Sequence, residues 1–242
     1  MFLGRWRKDW KTVPGRALLG LRSAVRPAAS GWLSHAQFGE DMVLRGLLPD
    51  GPGFYVDIGA HHPVHFSNTY HFYCRGWHGL NVDAAPGCMA PFRSLRPRDI
   101  NVEAAVGARD GELLQFHRFE QAALNTFDPE LARQALARGA RLLGTDQLPV
   151  RSLNALLEAY LPPRQRVDFL SVDVEGLDEA ILATLDLGRF RPTVILFEWH
   201  GPFDGLEHLP TVRTLSAAGY GLVARAGPSV FMATGETQRG HP

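Results

Sequence analysis

From residue 54 onward, short apolar runs alternate with amphipathic stretches, the pattern of βαβ units and therefore of a parallel sheet. The runs predict strands at 54–58, 79–83, 100–105, 167–173 and 193–199. Helices are expected between them at 67–75, 86–95, 152–160 and 177–187, and ahead of them at 40–48, where Met42, Val43 and Leu47 keep the helical period. Pro86 stands where a first-turn proline would, and Gly76 and Gly188 follow helical runs as C′ glycines do. A last helix near 209–218 leads through Gly219 to strands at 220–225 and 229–233. The Ala226-Gly227-Pro228 link is too short to hold a crossover helix, so the closing pair must be antiparallel.

Seven strands, mostly parallel and ending in an antiparallel hairpin, fit the class I methyltransferase form of the doubly wound, Rossmann-like α/β fold better than its six-stranded dinucleotide-binding form. The 242 residues accommodate one such domain, at 31–235, with an arm at 1–30 and a tail at 236–242. Residues 106–166 are too long for one simple connection. An extra strand at 112–117 and a helix at 129–138 are expected within this insertion, which is assigned to substrate recognition.

Charge changes this picture at one end only. The formal net charge is zero, yet residues 1–30 carry seven basic side chains (Arg5, Arg7, Lys8, Lys11, Arg16, Arg22, Arg26) against Asp9, leaving 18 basic and 24 acidic residues elsewhere, a net of −6. An acidic body excludes a nucleic-acid partner for the main domain. The arm mixes those cations with Phe2, Trp6 and Trp10, and two readings stand: peripheral contact with a membrane surface, or a leader lying over the domain. Only Cys74 and Cys88 occur, without metal or disulfide spacing, which implies a reducing, cytoplasmic setting. No run approaches the length of a membrane span or a signal peptide.

Candidate chemistry collects at strand ends. Phe54-Tyr55-Val56-Asp57-Ile58-Gly59-Ala60 is a buried strand stopping at an acid and then a glycine, where a ligand can approach the backbone and Asp57 can meet loop amides or a ligand ammonium group. Ala60-His61-His62-Pro63-Val64-His65 follows without further glycines, which argues against a dinucleotide, whose pyrophosphate needs them. Asp83 and Ala84 end the second strand, about 20 residues beyond the glycine turn, where a carboxylate can hold a ribose diol. Asp173 and Glu175 end the next central strand and fall on one side of it if the extended conformation persists. The competing reading is that Glu175 and Asp178 favour the N-terminus of the following helix. Glu198 and His200 end the fifth strand, His200 as a base candidate and Glu198 as a buried acid orienting another group. His61, His62 and His65 are read as loop residues around a ligand, because Pro63 breaks any helix, and metal ligands are not assigned.

Gln37-Phe38-Gly39-Glu40-Asp41, Tyr55-Val56-Asp57-Ile58-Gly59-Ala60, Phe66-Ser67-Asn68-Thr69-Tyr70 and Phe169-Leu170-Ser171-Val172-Asp173-Val174-Glu175-Gly176 occur in order, and with them the sequence resembles the FkbM-type methyltransferase family from about residue 35 to 200. The resemblance implies S-adenosyl-L-methionine as cofactor and O-methylation of a small-molecule or glycan acceptor. It places Asp57, Gly59, Ala60, Asn68, Asp83 and Ala84 around the donor, and Asp173 and Glu175 at the reaction centre, to which the strand reading adds His200. Departures from the family are the missing second glycine, with His61 and His62 in its place, and Asp83 where many members carry Glu. A dinucleotide-dependent oxidoreductase on the same sheet and a non-catalytic binding module are the alternatives.

Overall fold

The computed structural model describes residues 33–235, which contain ten strands: β1 (Phe54–Ile58), β2 (His78–Asp83), β3 (Ile100–Glu103), β4 (Ala105–Gly107), β5 (Leu113–Phe119), β6 (Leu142–Ser152), β7 (Phe169–Val172), β8 (Val194–Glu198), β9 (Tyr220–Ala226) and β10 (Ser229–Thr234). Seven form the main sheet in the order β3-β2-β1-β7-β8-β10-β9. All are parallel to their neighbours except β10, which is antiparallel to both β8 and β9. The α-helices are α1 (Glu40–Leu47), α2 (Tyr70–Cys74), α3 (Met89–Leu95), α4 (Pro129–Ala137), α5 (Leu153–Tyr160), α6 (Asp178–Leu182) and α7 (Pro210–Ala217). The chain divides after Leu33, and the described residues from Ser34 form one unit. The arm at 1–30 and the tail at 236–242 lie outside the described residues. No helix among the described residues is long and apolar enough to cross a membrane.

The strand period of two sorts the core into two faces. Phe54, Val56, Ile58, Leu170, Val172, Ile195 and Phe197 pack with α5, α6 and α7 through Leu153, Leu156, Ile181, Val212 and Leu215. Tyr55, Phe169, Val194, Leu196 and Phe231 pack on the other face with α1 and α2 through Leu44, Tyr70, Phe72 and Tyr73, and with Trp77. Asp57 shares the face of Tyr55, which turns it toward the segment before α2. The Gln37–Asp41 block fastens this side: Asp41 accepts from Ser34 Oγ (2.6 Å) and the His35 amide (2.7 Å), while Glu40 accepts from the Phe38 amide (2.8 Å) and from Ser229 Oγ on β10 (3.0 Å).

Several expectations are corrected. The strand expected at 100–105 breaks at Ala104, whose amide turns to the Asp83 carbonyl, so that Ala105–Gly107 joins a second sheet, β4-β6-β5. Strand β6 was not expected at all. Its Pro149 sits one residue before the stretch paired with β4, where a missing N–H costs that ladder nothing. The second sheet thus ends with β6 at Ser152, and the rest of the 106–166 stretch, α5 included, packs in the main core, as Val106 of β4 does. Helix α3 begins at Met89, leaving Pro86 in the preceding turn, and α6 ends at Leu182, so Gly188 is not its C′ residue. Pro129 and Pro210 are the first-turn prolines, the former behind Asp128, which accepts from the amides of Glu130 and Leu131.

Beneath the second face lies a buried ion pair that sequence reading did not anticipate. Arg96 and Asp99, both side chains fully buried, meet at 2.7 Å. The Asp99 carboxylate also accepts from Tyr55 Oη (2.8 Å), the Gly79 amide (3.0 Å) and Asn81 Nδ2 (2.9 Å). The Arg96 guanidinium donates to Tyr55 Oη (2.8 Å), Thr69 Oγ1 (2.9 Å), Asn81 Oδ1 (3.1 Å) and Ser67 Oγ (3.4 Å). One cation thus joins β1, β2 and the loop before α2. Losing one partner of such a pair strands a buried charge, at a cost of about 3–5 kcal/mol, whereas removing both costs less. Urea denaturation should accordingly show Arg96→Met destabilised by about that amount, and Arg96→Met/Asp99→Asn destabilised by less than the two single changes together. Additive losses would mean that the pair is not coupled.

Candidate active site

The C-terminal ends of β1, β2, β7 and β8 open on a cavity of about 760 Å³. Asp57, Gly59, Ala60, Asn68, Asp83, Ala84, Asp173, Glu175 and His200 line it together, with His61 and His62, whereas Glu198 and His65 are not among its lining residues.

At the tip of β1, Gly59 has φ 84°, and a Cβ there would lie 1.7 Å from the Asp173 carbonyl oxygen. The neighbouring main chain as it leaves β7 requires the glycine, independently of any ligand approaching there. Asp57 is buried and meets side chains instead of the expected loop amides. It accepts from Thr69 Oγ1 at 2.9 Å and from the Ser171 hydroxyl, and Ser171 in turn accepts from Asn68 Nδ2 at 3.1 Å. Burial pushes the Asp57 carboxyl up to about 6 against the opposing pull of Arg96, Thr69 and Ser171.

Asp83 grips the loops on either side of the cavity. One oxygen accepts from the His61 amide (2.9 Å) and the other from the Ala85 amide (2.8 Å). His62 Nδ1 accepts from the Val64 and His65 amides (3.1 and 3.0 Å), so this ring caps its own loop. Burial holds His61 and His62 below the usual imidazole range. His61, Phe66 and Glu175, three cavity residues, have φ of 51°, 55° and 48°. Non-glycine residues in the left-handed region carry strain that surrounding contacts must hold.

Carboxylates collect on the opposite wall. Oxygens of Asp173, Glu175 and Glu198 lie within 4.8 Å of one another. Strand alternation does not produce this, because β7 ends at Val172 and the left-handed turn at Glu175 folds the chain back. The insertion holds that turn: Thr126 Oγ1 donates to the Glu175 carbonyl at 2.9 Å, and Asp128 packs against Gly176. Burial is the largest cause raising Asp173 well above the ordinary carboxyl range, with Glu198, Asp178 and Glu175 adding to it. Glu175 is raised by burial, and Glu198 by burial together with Glu175 and Glu40. Asp178, in the first turn of α6, is likewise pushed up to about 7. Glu198 also has His200 Nε2 at 3.4 Å, with the histidine side chain largely in solvent.

The remaining wall comes from residues that sequence reading did not single out. Phe116, Ala122, Leu124, Phe127 and Arg138 of the insertion face the cavity, as do Pro86 and Pro91. Arg138 is the one lysine or arginine among the described residues lining it. The length of the insertion was the available signal, whereas the individual residues carried none.

A family model described as the methyltransferase FkbM domain matches residues 57–222, more than half of the chain. No curated protein matches. Among solved structures, the Methanococcus jannaschii fibrillarin pre-rRNA processing protein is similar at 9% identity and a TM-score of 0.40, over 83% of this chain and 75% of that one.

The buried carboxyls make stability depend on pH in a defined direction. A carboxyl raised in the folded state binds its proton more tightly there than in the unfolded chain, so its contribution is fully present below about pH 4 and is lost as pH rises through its folded value. For Asp178 that window runs from 3.8 to about 7. Its span corresponds to on the order of 4 kcal/mol. Urea denaturation at pH 5 and pH 8 should show a smaller loss for Asp178→Asn than for the wild-type protein. An equal loss in both would remove Asp178 from the account.

Proposed function

This chain belongs to the FkbM methyltransferase family and is an S-adenosylmethionine-dependent methyltransferase, and on that premise we propose that it methylates a hydroxyl oxygen of a sugar, glycan or secondary metabolite. The observation that carries the proposal is the meeting, in one cavity, of the Asp83 strand tip with Asp173 and Glu175, whose carboxylates have Glu198 beside them. When bound, S-adenosyl-L-methionine supplies an electrophilic methyl group on a cationic sulfonium.

The residues present suit such a donor. Asp83 is pinned by two amides, and each of its oxygens keeps a lone pair for a ribose hydroxyl. Ala84, Pro86, Pro91, Phe116 and Phe127 offer an apolar wall to a flat base. Gly59, Ala60 and Asn68 complete the donor side, and the acidic wall favours positive charge. Asp57 acts through Thr69 and Ser171, keeping the Asn68 loop against β7, and is a positioning residue.

Catalysis on this reading rests on orientation, worth roughly 7–11 kcal/mol when two reactants are held in line, and on removal of the acceptor proton. The raised carboxyls of Asp173 and Glu175 and the His200 ring line the cavity, where one of them can take that proton. A neutral hydroxyl acceptor suits them, since methyl transfer to it breaks the sulfur–methyl bond and moves the positive charge from sulfur to oxygen, where it stays until the proton leaves.

Two measurements test the assignment. Calorimetry with S-adenosylhomocysteine should give saturable binding to the wild-type protein and at least about tenfold weaker binding to Asp83→Ala, a loss of roughly 1.4 kcal/mol. Radiolabelled donor incubated with polyols and glycans should leave label in an alkali-stable ether. Label recovered only in base-labile esters or on nitrogen would contradict hydroxyl methylation.

A further inference from the structure

The Asp173, Glu175 and Glu198 cluster is more than a source of general bases. Three carboxylates with oxygens inside 4.8 Å crowd like charges together, and two of them, Asp173 and Glu175, line the partly apolar cavity. Among the described residues no lysine or arginine pairs with any of them, and the sole cation partner is His200, 3.4 Å from Glu198 and mostly solvated. At ordinary pH, like charges this close, removed from water, need protons or a cation to balance them.

A second observation comes from behind the cluster. Asp178 is 4% exposed, and its Oδ1 is buried without any hydrogen-bond partner. A buried carboxylate oxygen left empty is uncommon and calls for an occupant. Asp173, Glu175 and Glu198 lie near enough for their charges to couple with that of Asp178, against the opposing pull of the Asp178 and Val174 amides. Beside the three clustered carboxylates the chain thus buries a fourth carboxyl with one oxygen left unpartnered. The turn that delivers Glu175 is fixed from outside by Thr126, so the arrangement does not rely on its own attraction.

We propose that Asp173, Glu175 and Glu198 bind a hard divalent cation, of the magnesium, manganese or calcium class, with Asp178 behind them as an outer carboxylate. The all-oxygen, all-carboxylate donor set excludes preference for soft metals. Among the described residues the histidines form no comparable group of three possible ligands, and His62 Nδ1 accepts from two backbone amides. Set beside the acceptor edge, such a cation would hold the acceptor hydroxyl and make its proton more acidic, leaving His200 to receive it. The inference deepens the methyl-transfer reading of the same cavity and rests on it only for this role, because occupancy is measurable without any turnover.

Manganese ion alone is the probe. The metal-free full chain is titrated with Mn²⁺, and the free ion is followed by electron paramagnetic resonance. One ion per chain should bind, Mg²⁺ should displace it, and Asp173→Asn and Glu198→Gln should each weaken it by at least about tenfold. Thermal melting gives the control for folding. Without metal, Glu198→Gln should melt no lower than the wild-type protein, because a like charge is removed, and Mn²⁺ should raise the melting temperature of the wild-type protein far more than that of the variant. Absence of saturable binding to the wild-type chain, or equal affinity in wild type and both variants, overturns the site. Calorimetry with S-adenosylhomocysteine on the same samples separates the two readings: nucleoside binding without manganese sinks the metal site alone, and manganese binding without the nucleoside sinks the donor assignment alone.

Discussion

A guanidinium with no access to water sits under the floor of the cavity, and the loop that forms the cavity's side depends on it. Arg96 donates to Thr69 and Ser67 in that loop, to Tyr55 on β1 and to Asn81 on β2, while Asp99 balances its charge. Thr69 passes the arrangement on by donating to Asp57. The Asp57 carboxylate is therefore neither isolated nor free, and Ser171 with Asn68 completes its surroundings. A buried pair of this kind contributes little net stability compared with apolar packing, but it specifies geometry, since the planar guanidinium fixes where each of its several acceptors must lie.

The opposite wall obeys a different constraint. Gly59 lets the chain after β7 pass within contact distance of β1, and Glu175 then turns through the left-handed region under the hold of Thr126. These two features bring Asp173 and Glu175 to Glu198 at the end of β8. The small sheet of β4, β5 and β6 is thus part of the site's framework as well as its wall, because without Thr126 and Asp128 nothing described would fix the Glu175 turn. One side of the cavity is organised by a cation buried beneath it, and the other gathers negative charge that the protein does not neutralise.

Much of this was legible in the sequence, for identifiable reasons. The near-continuous apolar runs at 54–58 and 193–199 encode strands buried on both faces, and the short Gly-Pro link encodes the antiparallel end. Acids and glycines stand at strand ends because ligands in open α/β sheets bind there, so the strand-tip residues could be named beforehand. Arg96 could not. An arginine three residues from an aspartate reads as an exposed helix pair, and its burial is decided by Tyr55 and Thr69, 41 and 27 residues away. Strand β6 was hidden by Gly144, Asp146 and Pro149, which interrupt the apolar pattern although its backbone alternates between half-buried and exposed positions. The meeting of Asp173 with Glu175 was expected on a false premise, since a left-handed glutamate leaves no mark in sequence.

The measurement closest to the centre of this account is hydrogen exchange in Thr69→Val, an isosteric change that removes the one hydroxyl shared by Arg96 and Asp57. Amides at Val64, His65, Ser67 and Tyr70 should exchange faster, with those of β8 and β10 unaltered. Unchanged exchange in the loop, or equal acceleration throughout the sheet, would contradict the role given to the buried guanidinium.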